Sequence, residues 1–124
     1  MKLHPHYEEE NAITTPTNAK YFNFTVEGDK YTVSFKKQYR SVYNGILTLP
    51  KENDDKDILR VGVLSDLENL SQSQIKKVFF EPGSKYEIIG INNANAGFWN
   101  FALLTQVDLS PIEDTLTKIE SHSF

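Results

Sequence analysis

Histidine is the side chain best suited to acid–base work near neutral pH, and this chain of 124 residues carries only His4, His6 and His122. All three stand near the chain ends. A catalytic imidazole needs packed neighbours to hold its geometry, so a histidine site would require both ends to fold back onto the domain. Cysteine is absent. That excludes disulfides, thiolate nucleophiles, Cys-ligated zinc and iron–sulfur clusters. His4 and His6 offer two metal ligands without a third. The 17 acidic residues form many pairs but no signature of paired-carboxylate catalysis. Asn53, Asp55 and Asp57 alternate as in a calcium loop, yet Ile58 stands where that loop needs glycine. The six glycines are scattered singly, without G-x-G-x-x-G or a Walker lysine. The expectation is a non-catalytic chain with no metal and no cofactor.

Three groups of residues are suited to binding. Asn92, Asn95, Phe98, Trp99 and Phe101 combine an Asn-rich turn with large aromatic side chains, which commonly anchor interfaces and ligand pockets. Tyr39, Arg40 and Tyr43 interleave a cation with aromatics, a pattern that binds single-stranded nucleic acid by charge and stacking. Asp54, Asp55 and Asp57 form an acidic tract. The net charge of −4 is unevenly spread, with a basic stretch over 20–51 between acidic ones. Glu52, Asp108, Glu113, Asp114 and Glu120 extend the acidic set.

Matched charge accelerates association. The acidic tracts therefore point to a protein-binding inhibitor of the immunity-protein or phage counter-defence type, facing a basic, nucleic-acid-handling protein. The alternative is a module that binds a small ligand, a nucleotide or single-stranded nucleic acid through exposed aromatics. A homodimer is compatible with either reading. No apolar h-region follows Met1 and no stretch approaches the ~20 apolar residues of a membrane helix. The expected location is the cytoplasm of a bacterial or infected host cell.

The elements that must position these residues follow from periodicity. Residues 1–19 read as an N-terminal tail, and 20–124 as a single domain. Residues 21–27 and 30–36 alternate apolar and polar around Gly28-Asp29, which suits a type II′ hairpin. The register should pair Glu27 with Lys30, Val26 with Tyr31, Phe24 with Val33 and Phe22 with Phe35. Asn44-Gly45 predicts a second hairpin between 39–43 and 46–49. Residues 51–57 read as a polar loop and 58–64 as a strand. Capping boxes at Ser65 and Ser71, with Ile75, Val78 and Phe79 on one face, predict helix within 66–80. Residues 85–91 and 98–109 read as strands. Ser110-Pro111-Ile112-Glu113 predicts a C-terminal helix over 111–121 with Ile112, Leu116 and Ile119 buried. The expected fold is α+β, with an antiparallel sheet of five or six strands built from hairpins. An OB-like, partly closed barrel is the alternative. No internal repeat is visible.

Overall fold

The structure, a computed structural model, describes residues 14–64, 74–92, 94–99 and 101–124. Its strands are β1 (Phe22–Glu27), β2 (Lys30–Phe35), β3 (Asn44–Leu49), β4 (Glu52–Asn53), β5 (Lys56–Asp57), β6 (Arg60–Val61), β7 (Gln74–Phe80), β8 (Ile88–Ile89), β9 (Gln106–Val107) and β10 (Lys118–Ile119). Three short 3-10 turns, Ala19–Tyr21, Lys37–Tyr39 and Ser110–Ile112, complete the named elements.

The β1–β2 hairpin has the expected register, from Phe22 opposite Phe35 to Glu27 opposite Lys30. Gly28 supplies the positive φ (67°) that its turn requires. Phe22, Val33 and Phe35 are buried, and Phe24 packs on Tyr31.

The rest of the architecture corrects the α+β expectation. One sheet has the order β1-β2-β6-β8-β10 and a second the order β3-β7-β9. Every pair in them except β1–β2 is parallel. From residue 15 onward, no described residue is in an α-helix. The chain alternates between the two sheets: β2, β3, β6, β7, β8, β9, β10. Residues paired in adjacent coils lie about 30 apart, as with Val33, Val61 and Ile89 in the first sheet and Leu47, Val78 and Val107 in the second. This is a short stack of parallel coils. The expectation of no internal repeat is thereby corrected as well.

Side chains at paired positions form columns. Val33, Val61 and Ile89 are fully buried, and they join Leu47, Leu49, Val78 and Phe80 in one core between the sheets. Coils approach closely beside that column. A Cβ on Gly62 would lie 2.6 Å from Ser34 Oγ and 2.8 Å from Thr32 Cγ2, so any larger residue there would have to displace those side chains. The first coil is covered by β1 in one sheet and by Thr17 in the other, whose N–H donates to the Thr48 carbonyl (3.0 Å). Capping of this kind is what stacked coils need at an end.

Each misread segment has a physical reason. In β7, the pairing runs Gly45–Ile75 and then Ile46–Lys77, so Lys76 is an extra, bulged residue. The bulge places Ile75 and Val78, three apart, on the core side. An i, i+3 spacing therefore arises in a strand, where it imitates a helix. The turn expected at 66–70 lies outside the described residues. At the C-terminus, Ser110-Pro111-Ile112 makes one 3-10 turn and stops. Thr117 and Lys118 donate to the Glu87 carbonyl (2.8 and 3.2 Å), and Thr115 Oγ1 donates to the Tyr86 carbonyl (2.7 Å). An isolated helix of this length is marginal, and pairing with β8 outweighs it. Asn44-Gly45 opens β3 instead of turning a hairpin, while residues 37–39 form a 3-10 turn. The polar loop at 51–57 is itself a hairpin, β4–β5.

Candidate functional site

The β4–β5 hairpin projects the acidic tract. Glu52 pairs with Asp57 and Asn53 with Lys56. Asp54 (φ 57°) and Asp55 (φ 62°) both have left-handed backbone, as a type I′ turn demands. Asn-Gly is the usual occupant of such a turn. Aspartate tolerates it because its short polar side chain can hydrogen-bond the local backbone, at some conformational cost.

The base of the hairpin is firmly held. Ile58 N–H donates to the Lys51 carbonyl (3.0 Å), and Lys51 N–H donates to Glu81 Oε1 (2.9 Å). The buried Tyr86 hydroxyl donates to the Pro50 carbonyl at 2.6 Å. Burial holds that phenol well above the ordinary tyrosine range, and the nearby Glu81 carboxylate adds to the shift. Asn53 Nδ2 donates to the Tyr31 hydroxyl (3.0 Å), and Lys56 lies over the Tyr31 ring. Lys85 Nζ sits 3.4 Å from Asp57 Oδ2 with both groups well exposed, a pairing of little energetic weight.

Coil stacking extends the site beyond the hairpin. Segments 50–59, 81–87 and 108–117 each connect the second sheet back to the first, so they lie along the same side of the stack. They are tied together directly: Glu87 N–H donates to the Leu59 carbonyl, and Thr117 N–H to the Glu87 carbonyl. The three segments contain nine carboxylates against three lysines. Three of these carboxylates have structural duties. Glu81 receives Lys51 N–H, Asp108 Oδ1 receives Ser110 N–H at 3.0 Å, and Glu87 meets Lys30 Nζ at 2.6 Å. The Lys30 ammonium pKa is raised, chiefly by that hydrogen bond. The other six, Glu52, Asp54, Asp55, Asp57, Glu113 and Asp114, are exposed. Reading the sequence singles out those six together with Asp108 and misses Glu81 and Glu87. The signal is recurrence of carboxylates at about the coil length.

The described connections on the opposite side of the stack differ. Segment 36–43 there carries Lys36, Lys37 and Arg40, and residues 90–105 carry no charge. Tyr39 and Tyr43 are half-buried and meet Tyr21 edge-on at 4.8 and 5.0 Å. Arg40 Nε donates to the Phe35 carbonyl (2.7 Å), and the Tyr43 hydroxyl donates to the Ile46 carbonyl (2.7 Å). Partial burial raises the Tyr43 phenol pKa. Tyr39 and Tyr43 thus gather around Tyr21, which covers part of each ring, whereas base stacking needs an open ring face.

Phe98 and Phe101 also come together, with ring centroids 6.1 Å apart, and they are only 2% and 8% exposed. Trp99 is half-buried, while Asn92 and Asn95 are exposed. His122 is exposed, and His4 and His6 lie outside the described residues. Among the described residues, no group of three or more histidine or carboxylate side chains is placed to hold a metal ion. No described helix is long and apolar enough to cross a membrane. No protein-family model, curated protein or solved structure matches the chain.

Proposed function

We propose that the protein is a non-catalytic binding protein whose acidic side docks a basic protein partner. The observation that carries this reading is the gathering of three connections, about a coil apart in sequence, into one continuous side with nine carboxylates and three lysines. Such a surface steers a positively charged partner and speeds its association. The left-handed backbone at Asp54 and Asp55 is a second support, since conformational strain in an exposed turn is a common mark of a contact element. A nucleic-acid-handling protein has the complementary charge. That makes an inhibitor of the immunity-protein or counter-defence kind, acting in the cytoplasm, the specific form of the proposal.

The test uses the full chain with Asp54, Asp55 and Asp57 changed to Asn, Glu113 to Gln and Asp114 to Asn. Wild type should be retained on immobilised polylysine and released by moderate salt, while the variant flows through. Crosslinking in the native cell should capture a basic protein with wild type and lose it with the variant. Equal capture by both chains, with the variant folded, would sink the proposal. Quenching of Trp99 by short oligonucleotides would favour the aromatic-binding alternative instead.

A further inference from the structure

We propose that Val26 is the apolar anchor of the acidic side, and that the partner it fits is a basic protein segment setting one aliphatic side chain between lysines or arginines. This inference rests on the acidic-side reading above and adds to it an anchor residue and a feature of the partner.

The tip of the first hairpin belongs to that side. Thr32, Arg60, Ile88 and Lys118 are in register across the first sheet, so the turn before Lys30 opens where segments 50–59, 81–87 and 108–117 arrive. Backbone hydrogen bonds run through all four. Leu59 N–H donates to the Tyr31 carbonyl (2.9 Å), Glu87 N–H to the Leu59 carbonyl (2.7 Å) and Thr117 N–H to the Glu87 carbonyl (2.8 Å). The turn brings two further carboxylates, the half-buried Glu27 and the exposed Asp29.

Val26 stands beside them. It is 65% exposed, more than any other large hydrophobic side chain among the described residues. Its cross-strand partner is Tyr31, and facing side chains of an antiparallel pair lie within contact range. Tyr31 is fixed in place. Its ring stacks on Phe24, its hydroxyl receives Asn53 Nδ2–H at 3.0 Å, and Lys56 Nζ lies 5.7 Å from the ring centroid. Asn53 and Lys56 are the pair that carries Asp54 and Asp55 between them, so the acidic turn leans on the same tyrosine. Val26 therefore has Glu27 and Asp29 on its own hairpin and Asp54 and Asp55 on the neighbouring one.

A single exposed valine is ordinary on a protein surface. This one differs in having a fixed aromatic neighbour and carboxylates on two flanking hairpins, an apolar centre with a charged rim of the kind interfaces use. Charge complementarity selects the occupant. Lys30 is already engaged by Glu87, and Lys56 lies over the Tyr31 ring. The four carboxylates outnumber these two lysines, so the rim attracts cations on both sides of the centre.

Two probes test this, the end-blocked peptides Lys-Lys-Leu-Lys-Lys and Lys-Lys-Ser-Lys-Lys, titrated at low salt into the isotope-labelled full chain with Kd read from amide shifts. Wild type should bind the leucine peptide about fivefold more tightly, as burial of roughly 40 Å² of apolar surface would give. The largest shifts should fall at Val26, Tyr31, Asp54 and Asp55. Val26→Ser, at an exposed position, should keep its circular dichroism spectrum and bind both peptides as wild type binds the serine one. Val26→Ile should retain the preference. Equal affinity of wild type for the two peptides overturns the anchor and leaves the acidic-side reading standing, as does a preference that Val26→Ser retains. Absence of shifts with either peptide overturns both.

Discussion

Gly90 and Ser123 lock the last coil onto the one before it. Ser123 is buried, its Oγ donates to the Ile89 carbonyl at 3.2 Å, and the same oxygen occupies the space a Cβ on Gly90 would need. Gly90 also has φ +97°, and its carbonyl receives Arg60 Nη1–H at 2.7 Å. Backbone freedom and close approach therefore both demand glycine at this corner.

Gly90→Ala should accordingly lose about 3 kcal/mol of stability, from left-handed strain together with overpacking. Gly28→Ala, at a similar φ with nothing within 4 Å of the added Cβ, should lose only about 1 kcal/mol. Urea denaturation of both variants decides the matter, and equal midpoints would show that the corner is not tightly packed.

Alkaline pH should unfold the protein through Tyr86. Its phenol pKa is held well above 10.0 by burial, whereas the unfolded chain ionises near that value. The folded state thus keeps a proton that the unfolded state releases. Stability is full below about pH 10 and falls as pH rises further. The raised Tyr43 and Lys30 pKa values act in the same direction. Tyr86→Phe should lose about 1 kcal/mol at neutral pH with its hydrogen bond to the Pro50 carbonyl. It should also show a shallower decline above pH 10, read as the denaturation midpoint against pH.

The acidic turn should trade stability for binding. Replacing Asp54-Asp55 by Asn-Gly keeps the type I′ turn and relieves left-handed strain, so stability should rise by about 1 kcal/mol. The same change removes two exposed carboxylates and should weaken retention on polylysine. A variant both less stable and equally well retained would contradict the turn geometry and the binding role together.

The bulge at Lys76 should matter more than its side chain. Lys76→Ala, at an exposed position, should change stability by about 0.5 kcal/mol or less. Deleting Lys76 reverses the facing of Ile75 relative to Val78, so it should lose about 3 kcal/mol or more by taking a fully buried side chain out of the core. Thermal unfolding of the two proteins compares them directly.

The β1–β2 hairpin was legible because everything that sets it is local. Alternation over 21–27 and 30–36 fixes the core face, and Gly28 fixes the turn, so the register follows. The acidic character of 52–57 was equally plain, although its hairpin was not, because Asp54-Asp55 lacks the glycine that signals a type I′ turn. The stacking of coils left a weak trace. Thr32-Val33-Ser34, Arg60-Val61-Gly62 and Ile88-Ile89-Gly90 share a β-branched residue followed by a small one, at a spacing only parallel pairing makes meaningful.

By itself, then, the sequence determined the first hairpin, the lack of cysteine chemistry in the chain and the presence of acidic tracts. Tertiary structure alone decided that 74–80 and 118–119 are strands, since short segments take the conformation that satisfies their backbone against neighbouring coils. It also decided that carboxylates about a coil apart share one side. Charge is a property of the residue, but a surface is a property of the winding.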